Sequence, residues 1–304
     1  MELKGDINLR LPNFFIIGAQ KAASTYLQEC LREHPDVFMQ KGEDSFFQNP
    51  DYYDSGIERF ADKFEEVPSE KIIGIKRPNY LAEAECPARI HKHIPDAKII
   101  IVLRNPVDRA VSAYFHYIKQ GHIPFGPLNE GMNDILKGNL QKQHPAAKEI
   151  LEYGLYYKHL KRYLSYFSRD NFLIIPFEEI KYNPLEVFQQ TCKFLDIAID
   201  YKPKSLQNRP MRGCYSHWRL RFLMIRSKYK VFNKNRTRDY SPEDFGSKLI
   251  VFGIELIDKL ILERLDKARK PELDPKIKKQ LQSYFVQDVK ALKKLLGISL
   301  KWKF

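Results

Sequence analysis

A lysine, a serine and a threonine stand just behind an apolar run in Phe14-Phe-Ile-Ile-Gly18-Ala-Gln-Lys21-Ala22-Ala23-Ser24-Thr25-Tyr26. The run is of β-type and stops at a glycine. A short turn carries the lysine, and the Ser-Thr pair opens a helical pattern. That order gathers backbone N–H groups, an ammonium and two hydroxyls around one anion at a helix N-terminus. The chemistry it suits is phosphate chemistry near residue 21. It is not the usual nucleotide-triphosphate loop, G-x-x-x-x-G-K-[ST], in which lysine directly precedes the hydroxyl. Lys21 stands three residues after Gly18 and three before Ser24, and no strand-ending Asp for magnesium is evident downstream. A phosphate loop of this kind suggests a donor whose transferred group needs no metal. A plainer reading stays open, in which a buried strand leads to a helix that the Ser-Thr pair merely caps.

A second cluster lies in Leu103-Arg104-Asn105-Pro106-Val-Asp-Arg109-Ala-Val-Ser112-Ala-Tyr114. An arginine at a strand's C-terminal end, followed by a proline-opened helix, makes an oxyanion clamp. Ligands of open α/β sheets sit outside those strand ends, and a guanidinium can grip a phosphate through two N–H groups. Ser112 lies two helical turns past Asn105, so its hydroxyl can face the same mouth if the helix begins beside the site. The competing reading is a surface arginine and a helix-facing serine.

The elements that must hold these residues are legible as short runs. Strands are expected at Phe14–Ile17, Lys71–Lys76, Lys98–Leu103 and Asn171–Phe177, the third nearly all apolar and therefore central. Helices are expected over Ser24–Glu33, Val107–Lys119 and residues 150–167. Another is expected from Asn183-Pro184, with a stripe of Leu185, Phe188, Cys192 and Leu195 facing inward. Strands alternating with helices predict an α/β fold: an open parallel β-sheet flanked by helices, with the phosphate-binding loop after the first strand. Residues 120–147, rich in Gly and Pro, read as an excursion or lid with at most a short helix near Asn133–Lys137. Residues 201–247 are basic and irregular, and a helical C-terminal extension follows at about 248–268 and 275–296. The whole, residues 1–304, reads as a single domain with its core at about 12–200.

The chain has 304 residues, 43% of them hydrophobic, which is ample for one large core. Its formal net charge of +13 favours an anionic partner without choosing among a phosphorylated donor, an acidic glycan, a membrane surface and nucleic acid. Cys30, Cys86, Cys192 and Cys214 are widely spaced and form no C-x-x-C, so free thiols are expected rather than a disulfide framework or a zinc site. His91-Lys-His93 has no partners at metal spacing. His116 and Tyr117 read as core or rim residues, and Arg209, Arg212 and Arg219 as a solvated basic face. No run approaches the length of a membrane span, and no secretory pattern opens the chain. A cytoplasmic protein without stable membrane insertion is expected.

Taken together, Phe-Ile-Ile-Gly-x-x-Lys-x-x-Ser-Thr and the later Leu-Arg-Asn-Pro-x-x-Arg-x-x-Ser-x-Tyr resemble the sulfotransferases that use 3′-phosphoadenosine 5′-phosphosulfate (PAPS). The similarity is greatest to the carbohydrate-modifying, heparan-sulfate-type branch and its bacterial relatives, and covers most of residues 12–200. The resemblance implies that Gly18, Lys21, Ala22, Ala23, Ser24, Thr25 and Tyr26 bind the donor's 5′-phosphosulfate, with Lys21 reaching the bridging oxygen. It implies that Arg104 and Ser112 bind the 3′-phosphate. Lys41-Gly-Glu43-Asp44-Ser-Phe46-Phe47 is similar to the family's Lys-Glu-x-x-Phe-Phe segment, which makes Glu43 the matching catalytic base, with Asp44 as the other candidate. Gly74-Ile-Lys76-Arg77-Pro78-Asn-Tyr80 resembles Glu-Lys-Thr-Pro-x-Tyr, which places Lys76 near the transferred sulfate or the acceptor. Two departures stand out. Ala23 replaces a glycine, and its methyl crowds the phosphate approach unless φ stays negative. Arg77 replaces a threonine and adds a cation.

The expected activity is sulfuryl transfer from PAPS to an acceptor hydroxyl or amine on a carbohydrate, without a metal. The acceptor is left as a glycan, a glycolipid or a small metabolite. A basic polyanion- or nucleic-acid-binding protein without catalysis is the alternative. It would explain the charge, but no RNA motif, zinc pattern or basic helix supports it. A degenerate nucleotide kinase is disfavoured by the place of Lys21.

Overall fold

In the computed structural model, residues 9–208, 213–232, 239–240, 244–297 and 300–302 are described. The chain divides into two compact units. The first takes in residues 1–104 and 156–211, and the second residues 105–155 and 212–304.

The first unit is built on a parallel sheet. Its described strands are β1 (Phe14–Gly18), β2 (Val37–Met39), β3 (Ile72–Lys76), β4 (Lys98–Leu103) and β5 (Phe172–Pro176). They lie in the order β2-β3-β1-β4-β5, all parallel. β1 is buried throughout and β4 from Ile99 onward, because each has a neighbour on both edges and cover on both faces. Phe14 stands opposite Gly74 on one side and Lys98 on the other. Its ring lies over Gly74 so closely that a Cβ there would come within 2.1 Å of it. The chain lays β2 and β3 on one side of β1 and then crosses to lay β4 and β5 on the other. β2 was not among the expected strands: three residues with one partner carry too little pattern to read.

Helix α1 (Ser24–Arg32) follows β1 and buries Tyr26, Leu27, Cys30 and Leu31. The Pro184–Leu195 helix turns Val187, Phe188, Thr191, Cys192 and Leu195 inward. Leu185, expected in that stripe, is 37% exposed. It stands seven residues before Cys192, at the edge of the buried face in the helix's first turn. Phe46, Phe47, Phe60 and Phe64 form an aromatic cluster with edge and stacked contacts.

In the second unit the Pro106–Gln120 helix is capped by the Asn105 side chain, which accepts the Val107 N–H at 3.0 Å, and ends at Gly121 with φ +78. The 120–147 region is more regular than its composition suggests, with helices at Leu128–Leu136 and Asn139–Gln143. Gly121, Gly131 and Gly138 mark the boundaries and packing of helices rather than loops. Gly138, at φ +75, separates the two, and Gly131 leaves room for the Tyr114 ring, which a Cβ would meet at 2.3 Å. The expected 150–167 helix is broken at Gly154 into Glu149–Glu152 and Tyr156–Tyr163, and the division between the units falls there. The 201–247 stretch contains the His217–Met224 helix. The tail helices are Phe245–Ile257, continued through a wider turn to Leu265, and Pro275–Leu296. The last buries Ile277, Leu281, Phe285, Val289, Leu292 and Leu296 as one stripe. Arg219 is not on a solvated face: it is 5% exposed and bonds Asp258 at 2.6 Å and Asp266 at 3.2 Å. Arg209 and Arg212 lie outside the described residues. Cys30, Cys86, Cys192 and Cys214 are all buried free thiols.

Candidate active site

β3, β1 and β4 are neighbours running the same way, so their C-terminal ends open on one edge of the sheet. Gly18 closes β1, Lys76 closes β3, and Arg104 follows β4. The backbone pins the loop after β1 to that edge. Ala19 N–H donates to the Val102 carbonyl at 2.7 Å, and Leu81 N–H donates to the Ile17 carbonyl at 3.0 Å. A Cβ on Gly18 would sit 2.8 Å from the Leu81 Cβ, so this glycine is required by the close approach of Leu81.

Two non-glycine residues of the loop are left-handed: Lys21 at φ 66 and Ala23 at φ 71. The condition under which the Ala23 methyl would be harmless is therefore not met. The protein holds an alanine in a conformation that favours glycine, at a cost of about 1 kcal/mol. Ser24 and Thr25 are the first two helical residues, and Ala23 is the cap, with no side-chain bond to the helix end. No acidic residue stands in the first turn of α1. The Ser-Thr pair thus does not serve as the cap, and the helix end keeps its attraction for an anion.

The Thr25 hydroxyl instead accepts a hydrogen bond from Lys76 Nζ at 2.9 Å. The same ammonium lies 3.1 Å from Glu43 Oε1. Arg77 Nη1 bonds the other oxygen of Glu43 at 2.9 Å, and Arg77 Nε bonds Gln48 Oε1 at 2.7 Å. Lys76 is 3% exposed, so its ammonium is fixed between the start of α1 and the Glu43 carboxylate. The two adjacent carboxylates differ sharply. Asp44 is buried; it accepts the Phe46 N–H at 2.8 Å and the Lys63 ammonium at 2.6 Å. Glu43 keeps 36% of its side chain exposed. Asp44 is occupied in folding its own turn, while Glu43 is within reach of an incoming molecule.

Gln28 on α1 is a residue that sequence reasoning missed. Its Nε2 donates to the carbonyls of Gln40 at 2.9 Å and Gly42 at 2.7 Å, which ties the turn before Glu43 to α1. The available signal was a polar residue on the inward face of an otherwise apolar helix stripe.

Arg104 Nη1 donates to the Lys21 carbonyl at 3.0 Å, and its guanidinium lies over the Phe177 ring, 4.7 Å from the centroid. The arginine after β4 is therefore joined to the loop after β1. Tyr26 donates its hydroxyl to the Leu206 carbonyl at 3.1 Å. Burial pushes the Tyr26 phenol above its ordinary range and the Cys30 thiol up to about 12, so both are neutral packing groups. Of the expected site residues, Gly18, Lys21, Ala22, Ala23, Ser24, Thr25, Tyr26, Glu43, Lys76 and Arg104 belong to the first unit. Ser112 belongs to the second, in the Pro106–Gln120 helix, where it is buried. Tyr117 is buried on the same helix, with its hydroxyl bonded to Glu149. His93 bonds Tyr53 at 3.0 Å, and His91 packs against Phe167.

The chain is 30% identical over 251 residues to a bifunctional heparan sulfate N-deacetylase/N-sulfotransferase 4 of Mus musculus, covering 78% of this chain and 28% of that protein. It is 29% identical over 231 residues to the heparan sulfate glucosamine 3-O-sulfotransferase 5 of Mus musculus, covering 76% of this chain and 66% of that one. The chain thus corresponds to less than a third of the length of the first relative and to about two thirds of the second. Its fold is that of a sulfotransferase from Alicyclobacillus acidocaldarius, at a TM-score of 0.66 and 22% identity, covering 96% of this chain and 98% of the other. The sulfotransferase domain model matches residues 11–293, a span that begins just before β1 and ends within the last helix, and by that match the chain belongs to the sulfotransferase domain family.

Proposed function

We propose that this protein transfers a sulfuryl group from PAPS to a hydroxyl or amine of a carbohydrate acceptor. The observation that carries the reading is the single buried ammonium of Lys76, bonded at once to Thr25 at the mouth of the phosphate loop and to Glu43. Donor-side and acceptor-side groups are coupled through it. The curated relatives named above are heparan sulfate sulfotransferases, which supports a sugar acceptor.

The first unit fits an anionic donor on its own features. The end of α1 has no acidic residue and no side-chain cap, two left-handed residues curl the loop, and Lys21 and Arg104 add cations. When bound, PAPS supplies the sulfuryl group on a bridging phosphate oxygen. Glu43 takes the proton from the acceptor hydroxyl as its oxygen bonds to sulfur. The bond from sulfur to the bridging oxygen breaks, and adenosine 3′,5′-bisphosphate leaves. Negative charge grows on the leaving oxygen, and Lys21 with the loop N–H groups stabilises it there. Lys76 holds Glu43 in place and adds positive charge where the sulfuryl group passes. Arg104 serves the 3′-phosphate. Positioning and fixed charge provide the acceleration, as in phosphoryl transfer, with no metal in the step. We place the protein in a reducing compartment, the cytoplasm, where its four buried thiols stay free.

The test is direct. Adenosine 3′,5′-bisphosphate should raise the melting temperature, and ATP with magnesium should not. Labelled donor with a panel of glycan acceptors should give transfer that Lys21→Ala abolishes. Failure of adenosine 3′,5′-bisphosphate to stabilise the protein would overturn the reading.

A further inference from the structure

The Phe245–Ile257 helix and its continuation to Leu265 present an apolar face to solvent. Inward, Ile254 and Asp258 are buried, Asp258 against Arg219, while Glu255 pairs with Arg226. Outward, Phe245, Leu249, Phe252, Leu256 and Leu260 recur at helical spacing, and every one is more than 40% exposed. Ile250, Ile257 and Ile261 widen the stripe on one side. Isolated exposed leucines need no explanation, but a continuous band of this length marks a surface that something covers.

Charge identifies the occupant. Residues 212–304 carry 23 Lys and Arg against 10 Asp and Glu. That surplus equals the +13 of the whole chain, because residues 1–211 carry 28 of each sign. On the same helical stretch as the apolar band stand exposed Lys248, Lys259 and Arg264, while its three acids are paired with arginines, Asp258 and Glu263 with Arg219 and Glu255 with Arg226. A second copy would set two such surpluses face to face. An anionic bilayer satisfies both features, taking the apolar side chains at the acyl boundary and the cations at the headgroups. Among the described residues no helix is long and apolar enough to cross a membrane, so the stretch would lie in the interface and not span it.

We infer that the 245–265 helical face seats this protein on the surface of an anionic phospholipid bilayer. The inference does not depend on sulfuryl transfer. The full-length chain is sedimented with vesicles of phosphatidylcholine alone or with a third of phosphatidylglycerol, at low and high salt. The wild type should bind the mixed vesicles, bind the neutral ones far less, and lose part of its binding as salt rises. The double variant Phe252→Ser with Leu256→Ser alters only exposed positions, so its unfolding midpoint should match the wild type. Its partition should fall roughly a hundredfold, as expected for two large side chains no longer buried in lipid. The double variant Lys248→Glu with Lys259→Glu should bind less tightly and show a shallower salt dependence. The inference is overturned if mixed vesicles are not bound, or if the serine variant binds them as well as the wild type. It is equally overturned if the wild type forms a dimer that the serine substitutions abolish, or if only a sulfated polysaccharide is bound and vesicles are not.

Discussion

Glu43 and Asp44 are adjacent carboxylates, and the structure predicts opposite consequences of removing them. In Asp44→Ala the Phe46 N–H loses its acceptor at a residue with no solvent exposure, and Lys63 loses its partner. A hydrogen bond to a charged group contributes roughly 1.5–3 kcal/mol. The Lys63 pair, with its lysine near the surface, adds less than about 1 kcal/mol. A loss of about 3 kcal/mol follows. With an unfolding entropy of about 2.1 cal/mol/K per residue, a chain of this length loses about 5 °C in melting temperature. Glu43→Gln keeps an acceptor for Lys76 but removes the carboxylate beside that buried ammonium, so its melting temperature should also fall, by no more than that of Asp44→Ala. Transfer should fall by about 100- to 10,000-fold, the usual share of a general base. Stabilisation by adenosine 3′,5′-bisphosphate should persist in both variants, and Asp44→Ala should keep transfer within about tenfold once corrected for folded protein. Calorimetry and a labelled-donor assay on the same preparations read out all of this. Asp44→Ala with unchanged stability and no transfer, beside an active Glu43→Gln, would refute the assignment of roles.

Three further outcomes follow from local geometry. Arg219→Ala leaves Asp258 and Asp266 buried without their cation, which should cost about 3–5 kcal/mol in urea unfolding, and a loss below about 1 kcal/mol would mean the network is not buried. Ala23→Gly relieves a left-handed alanine at some cost in chain entropy, so stability should rise by up to about 1 kcal/mol, whereas Ala23→Val should lower it. Burial lowers the Lys63 ammonium, but its hydrogen bonds to Asp44 and Tyr52 outweigh that and leave its pKa raised. Its contribution to stability is therefore complete below the free-lysine value of about 10.4 and is lost as pH climbs through the higher folded value. Asp44→Ala should flatten that alkaline decline in a pH series of unfolding midpoints.

The strands that carry the site were legible because burial on both faces leaves no alternation to misread. Phe14–Gly18 and Lys98–Leu103 are apolar almost throughout, and each ends where a residue able to bind an anion begins. The loop was legible for a related reason: its chemistry is written in residues adjacent in sequence. Glu43 and Lys76 were not legible from pattern, since nothing local distinguishes a glutamate in a Lys-Gly-Glu-Asp turn. They were named only through the family resemblance, and the contact that joins them spans 33 residues of chain. Gln28 escaped for the same reason, because its purpose lies in two carbonyls of a distant turn.

The misreadings share one cause, which is composition standing in for contact. By composition alone, the glycines between 126 and 138 point to loops. Gly131 is in fact helical, its missing side chain filled by the Tyr114 ring, and Gly138 divides two helices. The basic sequence around Arg219 suggests a solvated side chain, yet its partners are Asp258 and Asp266, about forty residues on. Ala23 shows the reverse relation. The sequence supplied the residue and its expected constraint, and the backbone violates that constraint at φ 71. A left-handed alanine two residues after a left-handed Lys21 is retained where a glycine would be relaxed. The loop's shape is therefore dictated by what surrounds it: the Ala19–Val102 bond, Leu81 against Gly18, and Arg104 on the Lys21 carbonyl. A loop so over-determined keeps its N–H groups in place before any ligand arrives, which is what electrostatic stabilisation of a leaving phosphate requires.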